Sequence, residues 1–182
     1  MYDAAVSRRK RAPPENLARS ENSRSSVARV GHPIRGASTV VRPATERDVE
    51  RLVAWHADPE VSRYWGDRRF TVAEMRQRLA REHVDPWIVE ADGLPVGFLQ
   101  SWCEPGAPRC GGIDGFLAPD ARGRGLMPDA ARALARALLD AGWAEVTVDP
   151  YEWNERAIRA WARAGFAEVA RRDGVVLMRF AV

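Results

Sequence analysis

Two features of the sequence are equipped for chemistry: the run Arg122-Gly-Arg-Gly125, and a lone acid, Asp114, in the apolar stretch 111–117 just before it. Glycines at 123 and 125 let the backbone come close to a ligand. The residues that follow have helical spacing, and the first N–H groups of a helix have no partner within it, so the turn suits phosphate oxygens. The other reading is a tight connection that holds nothing. No Lys-Ser/Thr pair follows the last glycine and the spacing is not G-x-G-x-x-G, so a nucleotide triphosphatase is not expected. Asp114 is costly in mid-strand unless it faces a wet cleft or a partner neutralises it. Cys103 and Cys110 lack the C-x-x-C or His spacing of a metal site and read as thiols in a reducing compartment; no metal is expected.

These residues need a strand, a glycine loop and a helix to place them. The helix after Gly125 turns Ala131, Leu134, Ala135, Leu138 and Leu139 to one side and Asp129, Arg132, Arg136 and Asp140 to the other. Upstream, residues 39–42 read as a strand. Thr45 and Asp48 make a capping box for a helix with Val49, Leu52, Val53 and His56 on one face, ended by Pro59. A loop over 61–66 carries Tyr64 and Trp65, and Thr71 with Glu74 caps a second helix to about His83. Residues 86–91 and 95–102 flank Asp92-Gly93 as a hairpin, and 103–109 read as a loop. Downstream come a strand over 145–149, a helix from the Asn154 cap to the Gly165 stop, and a last hairpin about Asp173-Gly174. The order gives an α/β fold with a mixed, mostly antiparallel sheet and one central βαβ crossover.

The 182 residues, 46% hydrophobic and 29% charged, suit one domain, and no apolar run is long enough to span a bilayer. Residues 1–38 carry eight basic and three acidic groups, whereas the other 144 carry 20 basic and 22 acidic ones. The tail, read as a basic disordered extension, therefore accounts for the net charge of +3, and the domain over 39–182 shows no nucleic-acid footprint. Ser7-Arg8-Arg9 resembles a twin-arginine start, but no apolar segment follows, so a cytoplasmic protein is expected.

From about residue 40 to 180 the chain resembles the GNAT acetyltransferase family. R-x-x-G-x-G/A is met at Arg122 and Gly125 but ends in Met127, and N-x-x-A-x-x-x-Y-x-x-x-G-F appears as Asn154, Ala157, Trp161, Gly165 and Phe166. Within the family it looks most like the aminoglycoside 6'-N-acetyltransferases, through Tyr64-Trp65-Gly66, Pro95-Val-Gly-Phe-Leu-Gln-Ser-Trp102, Gly112-Ile113-Asp114 and Val148-Asp149-Pro150 with Asn154.

The resemblance implies acetyl-CoA as cosubstrate, bound by Phe116, Leu117, Arg122, Gly123, Arg124, Gly125, Leu126, Met127, Asn154 and Trp161. It also implies a polycationic amine acceptor, met by Tyr64, Trp65, Trp102, Asp114, Asp149 and Glu152, with Glu104 as a further acid. An attacking amine must shed a proton, and Asp114 is the candidate base or, alternatively, an ammonium anchor. Each other acid is otherwise a solvated turn residue, and Trp102 is otherwise core. Trp161 stands where the family usually has a tyrosine thought to protonate the leaving thiolate; indole has no readily lost proton, leaving Tyr151 or water. The expected function is direct acetyl transfer to an aminoglycoside 6'-amine, conferring resistance. The alternatives are N-acylation of a siderophore hydroxylysine or a protein amine, or a non-catalytic module that binds CoA or aminoglycoside. A monomer or homodimer fits equally.

Overall fold

The computed structural model describes residues 30–104 and 107–181, without the side chains of 104 and 107–109. Its elements are β1 (Ile34–Arg35), β2 (Val40–Pro43), α1 (Val49–Ala57), α2 (Pro59–Ser62), α3 (Val72–Leu79), β3 (Val84–Ala91), β4 (Leu94–Glu104), β5 (Ala107–Leu117), α4 (Leu126–Asp140), β6 (Glu145–Val148), α5 (Glu155–Ala164), β7 (Phe166–Arg172) and β8 (Val175–Phe180). They build one sheet in the order β1-β2-β3-β4-β5-β6-β8-β7. Among the described residues only β5 and β6 run parallel, joined by the α4 crossover. This is the expected mixed, mostly antiparallel α/β architecture.

Alternation along the strands divides the core between the two sheet faces. On one, Trp87, Val89, Leu99, Ile113 and Leu117 meet Ala131, Leu134 and Leu138 of α4 and Trp161 of α5. On the other, Ile88, Phe98 and Phe116 meet Val49, Leu52, Val61 and Met75 from the segment containing α1, α2 and α3. Asp114, two residues before Phe116 on β5 and opposite Gln100 of β4, shares this α1–α3 side.

Several expectations need correcting. Ile34–Arg35 pairs with Val40 and Val41, so the sheet begins inside the stretch read as disordered; residues 1–29 lie outside the described residues. Asp129, expected on a solvated face, accepts bonds from the N–H groups of Ala37 and Ser38 and the Thr39 hydroxyl, all at 2.8 Å, and clips this segment to α4. Pro59 does not simply end a helix: it starts α2 at the position where a missing N–H costs nothing, capped by Asp58. α3 stops at Leu79, before His83. The expected 103–109 loop is largely strand, because β4 and β5 stay paired to Glu104 and Ala107, past a register shift. Cys103 and Cys110 are therefore on strands, and both remain thiols.

The cleft is made by a parting of strands. β6 pairs with β5 only at Cys110, Gly111 and Gly112, and from there the two diverge, leaving residues 113–117 without a β6 partner. The last rung is tight: a Cβ at Gly112 would lie 2.9 Å from the Thr147 carbonyl oxygen and 2.8 Å from the Trp102 ring. Only glycine lets the strands touch there before they separate.

Candidate active site

A cleft of about 230 Å³ opens where β5 and β6 part. Its floor is the free edge of β5, with Ile113, Asp114, Gly115, Phe116 and Leu117. The loop before α4 supplies Arg122, Gly123 and Gly125, the first turn of α4 supplies Leu126 and Met127, and α5 with its cap supplies Asn154, Ala157 and Trp161. Tyr64 and Trp65 close it from the α2 side, and Asp149 and Tyr151 from the end of β6.

The glycine loop has the form an anion cradle requires. Gly123 and Gly125 are left-handed, at φ +82° and +77°, and nothing lies within 4 Å of where a Cβ on either would stand. Gly125 caps α4 with no side-chain bond, so the N–H groups of Leu126 and Met127 open the helix without partners inside it. Pro128 has no N–H to add. Arg122 holds the loop in place: Nε donates to the Leu117 carbonyl at 3.2 Å, and the other guanidinium nitrogens reach the Glu60 carboxylate and carbonyl at 3.5 and 3.3 Å.

Asn154 is turned inward as it caps α5, its Oδ1 accepting from the Ala157 N–H at 3.1 Å, which leaves its NH₂ for a ligand. Trp161 is buried, its ring edge-on to Phe166 with centroids 5.5 Å apart, and its exposed remnant faces the cleft. Asp114 is half-buried and accepts from the Gln100 side chain at 3.3 Å, which answers the cost of a carboxylate in mid-strand.

Three expected residues stand apart. Arg124 is not among the cleft's residues and pairs with Asp92 at 2.9 Å. Glu152 lines a separate surface hollow with Glu155, Ile158, Arg159 and Arg171. Trp102 packs over Gly112 on the α1–α3 side of the sheet, short of the cleft. The side chain of Glu104 lies outside the described residues.

Other residues lining the cleft or packed on its walls escaped sequence reasoning. Arg156 and Arg163 line it from α5, on the same face as Ala160 and Trp161, a spacing that could have revealed them. Trp153 lies between Tyr64 and Tyr151, its centroid 5.3 Å from each and its plane tilted 18° and 11° from theirs. Arg63 lies over Tyr64 and Trp153 at 4.9 and 5.6 Å. This stack bridges the α2 wall to the β6–α5 wall, so one face of Tyr64 is already covered. Among the described residues no group of three His, Cys, Asp or Glu is placed to hold a metal, and no helix is long and apolar enough to cross a membrane.

A strand edge, an anion loop and a carboxylate in one cleft suit transfer of a group carried on a phosphorylated donor. Comparison with known proteins agrees. Residues 44–173 match the family model described as acetyltransferase (GNAT) domain. The chain is 33% identical over 158 residues to aminoglycoside N(6')-acetyltransferase type 1 of Klebsiella pneumoniae and to the protein of that name from Serratia marcescens, covering 76% of this chain and 77% of each. The solved structure of AAC(6')-Ib with coenzyme A and kanamycin superposes with a TM-score of 0.68 at 30% identity, over 78% of this chain and 94% of that one.

Proposed function

The chain belongs to the GNAT acetyltransferase family, and from that premise we propose that it moves the acetyl group of acetyl-CoA to the 6'-amine of aminoglycosides by direct attack in a ternary complex. The observation that carries this reading is Asp114 on the unpaired edge of β5, in the same cleft as the left-handed glycine loop. The fit to acetyl-CoA rests on the open side of Gly123 and Gly125, where a Cβ would stand in the way of phosphate, and on Arg156 and Arg163 nearby. The acceptor reading rests on the relatives' names and on the acids Asp114 and Asp149, whose charge suits a polycation.

In this mechanism the strand edge of 113–117 pairs with the donor's amide-bearing arm, and the glycine loop with Leu126 and Met127 receives its diphosphate. Asp114 accepts a proton from the acceptor ammonium, freeing a lone pair to attack the thioester carbon. A backbone N–H of β5 steadies the oxyanion, the nitrogen sheds its second proton to water as the C–S bond breaks, and the thiolate takes a proton from Tyr151 or water. Trp161 serves as wall and N–H donor. Acetylation removes a positive charge from the antibiotic, so a host carrying the enzyme is expected to resist such drugs.

The test is release of CoA thiol by the full chain with two aminoglycosides, one with a 6'-amine and one with a 6'-hydroxyl. Release with the amine alone is expected, and release with neither would sink the acceptor assignment. Asp114→Asn should lower kcat about a hundredfold or more. A variant turning over at the native rate would remove Asp114 as base.

A further inference from the structure

Behind the cleft's Trp65 wall, Arg78 is half-buried in an arrangement that packing alone does not require. Its guanidinium lies over the rings of Trp65 and Phe70, at 5.0 and 5.5 Å, and its Nε is buried without a hydrogen-bond partner. Its Nη2 donates to the Gln100 Oε1 at 3.2 Å, and the Gln100 Nε2 donates to the Asp114 Oδ2 at 3.3 Å. Gln100 is itself buried, and stands directly across from Asp114 in the β4–β5 register, so the two side chains rise side by side from one face of the sheet.

The chain of bonds has a fixed sense. Arginine can only donate, so it commands the carbonyl oxygen of the Gln100 amide. The NH₂ must then face Asp114 and occupy Oδ2. That leaves Oδ1 to meet an incoming amine, with the carboxylate's rotation fixed. Burial, the leading cause, lowers the Arg78 pKa to about 10; neighbouring Arg81 and Arg68 also lower it, while Asp114 opposes them. A guanidinium kept in such surroundings is stabilised chiefly by aromatic faces and by the carboxylate beyond Gln100.

We propose that Arg78 is a positioning residue for acetyl transfer, acting through Gln100 to fix which oxygen of Asp114 is presented to the acceptor amine. The proposal rests on the reading that Asp114 takes part in the reaction. Arg78 touches neither substrate: it sets the rotation of the group that does, and steadies Trp65 from behind. Its loss therefore lowers kcat and leaves the KM for acetyl-CoA unchanged.

The experiment compares kcat, both KM values and thermal unfolding in Arg78→Met, Gln100→Met, Asp114→Asn and the double variant Arg78→Met/Asp114→Asn. Met keeps an apolar stem at both positions and the length of the glutamine, and Gln100→Met cuts the same chain of bonds should Arg78→Met fail to fold. Each single Met variant is expected to lose about ten- to a hundredfold in kcat, as for a hydrogen bond to a charged group. In the Asp114→Asn background, Arg78→Met should cost less than about twofold, since a relay has nothing left to orient. If Asp114→Asn is slow while both Met variants turn over normally, or if Arg78→Met slows the Asn variant by the same factor as the native enzyme, Arg78 has only a structural role. If Asp114→Asn itself turns over normally, the reading beneath the proposal is what has failed.

Discussion

His56 shows how far a single polar side chain can depart from its ordinary behaviour in this interior. It is wholly buried, neither ring nitrogen has a hydrogen-bond partner, and the rings of Trp65, Phe70 and Phe116 meet it edge-on at 5.0 to 5.2 Å. Its N–H can only point at an aromatic face, a weak interaction. Burial, helped by the Arg78 charge, depresses its pKa from 6.5 to about 3. The folded protein thus refuses a proton that the unfolded chain accepts. Between pH 6.5 and 3 the unfolded state binds more protons, so stability rises with pH through that window and is lost as pH falls, at about 1.4 kcal/mol per pH unit. His56→Leu should unfold at the same or higher temperature at pH 7, because no hydrogen bond is lost, and should show less destabilisation between pH 7 and pH 5. Melting curves at the two pH values decide it: an equal loss in both proteins would mean that His56 is not the acid-sensitive group.

At the scale of elements, the loop–α4 junction carries the sharpest backbone demand. Gly125 caps the helix at φ +77° and ψ 5° with open space beside it, so Ala at this position meets conformational strain and no clash. The left-handed geometry costs about 1–2 kcal/mol for a residue with a Cβ. Gly125→Ala should lower the melting temperature modestly and raise the KM for acetyl-CoA more markedly, since the methyl would stand where phosphate approaches. A KM unchanged despite the lower melting temperature would move the anion site elsewhere. This junction was readable in the sequence because its signal is local, as were the Thr71–Glu74 box, the Asn154 cap and the two Asp-Gly turns. The two-residue β1 and the strand ends near Cys103 and Cys110 were not, because pairing with a neighbour, rather than composition, makes them strands. The same divide runs through the site. Asp114, Asn154 and the glycine loop announce themselves by spacing, whereas Arg78, Gln100 and Trp153 gain meaning only from partners distant in the chain: Asp114 for the first two, Tyr64 for the third.

Across the whole molecule, the cleft separates a sheet half, β1 to β5, whose neighbours are joined as hairpins except across the α1–α3 insertion between β2 and β3, from one made of β6, β8 and β7. Three features span the divide: the short β5–β6 ladder, the α4 crossover with its Asp129 clip, and the stack of Tyr64, Trp153 and Tyr151. The ladder has a consequence for how the chain acquires its shape. Hairpins close between sequence neighbours, whereas β5 and β6 pair across the α4 crossover, so the three rungs at Cys110, Gly111 and Gly112 are expected to form late in folding. Substitutions at this seam should hasten unfolding and hardly slow folding. Val146→Ala, buried opposite Gly111, should steepen the loss on the unfolding side, whereas Leu99→Ala, buried within the β3–β5 meander, should slow refolding. Denaturant-jump kinetics with both variants would expose the reverse order just as plainly. On that order of folding the cleft is the last part of the molecule to form and the first to come undone, and a donor seated across it would slow global unfolding as well as react there.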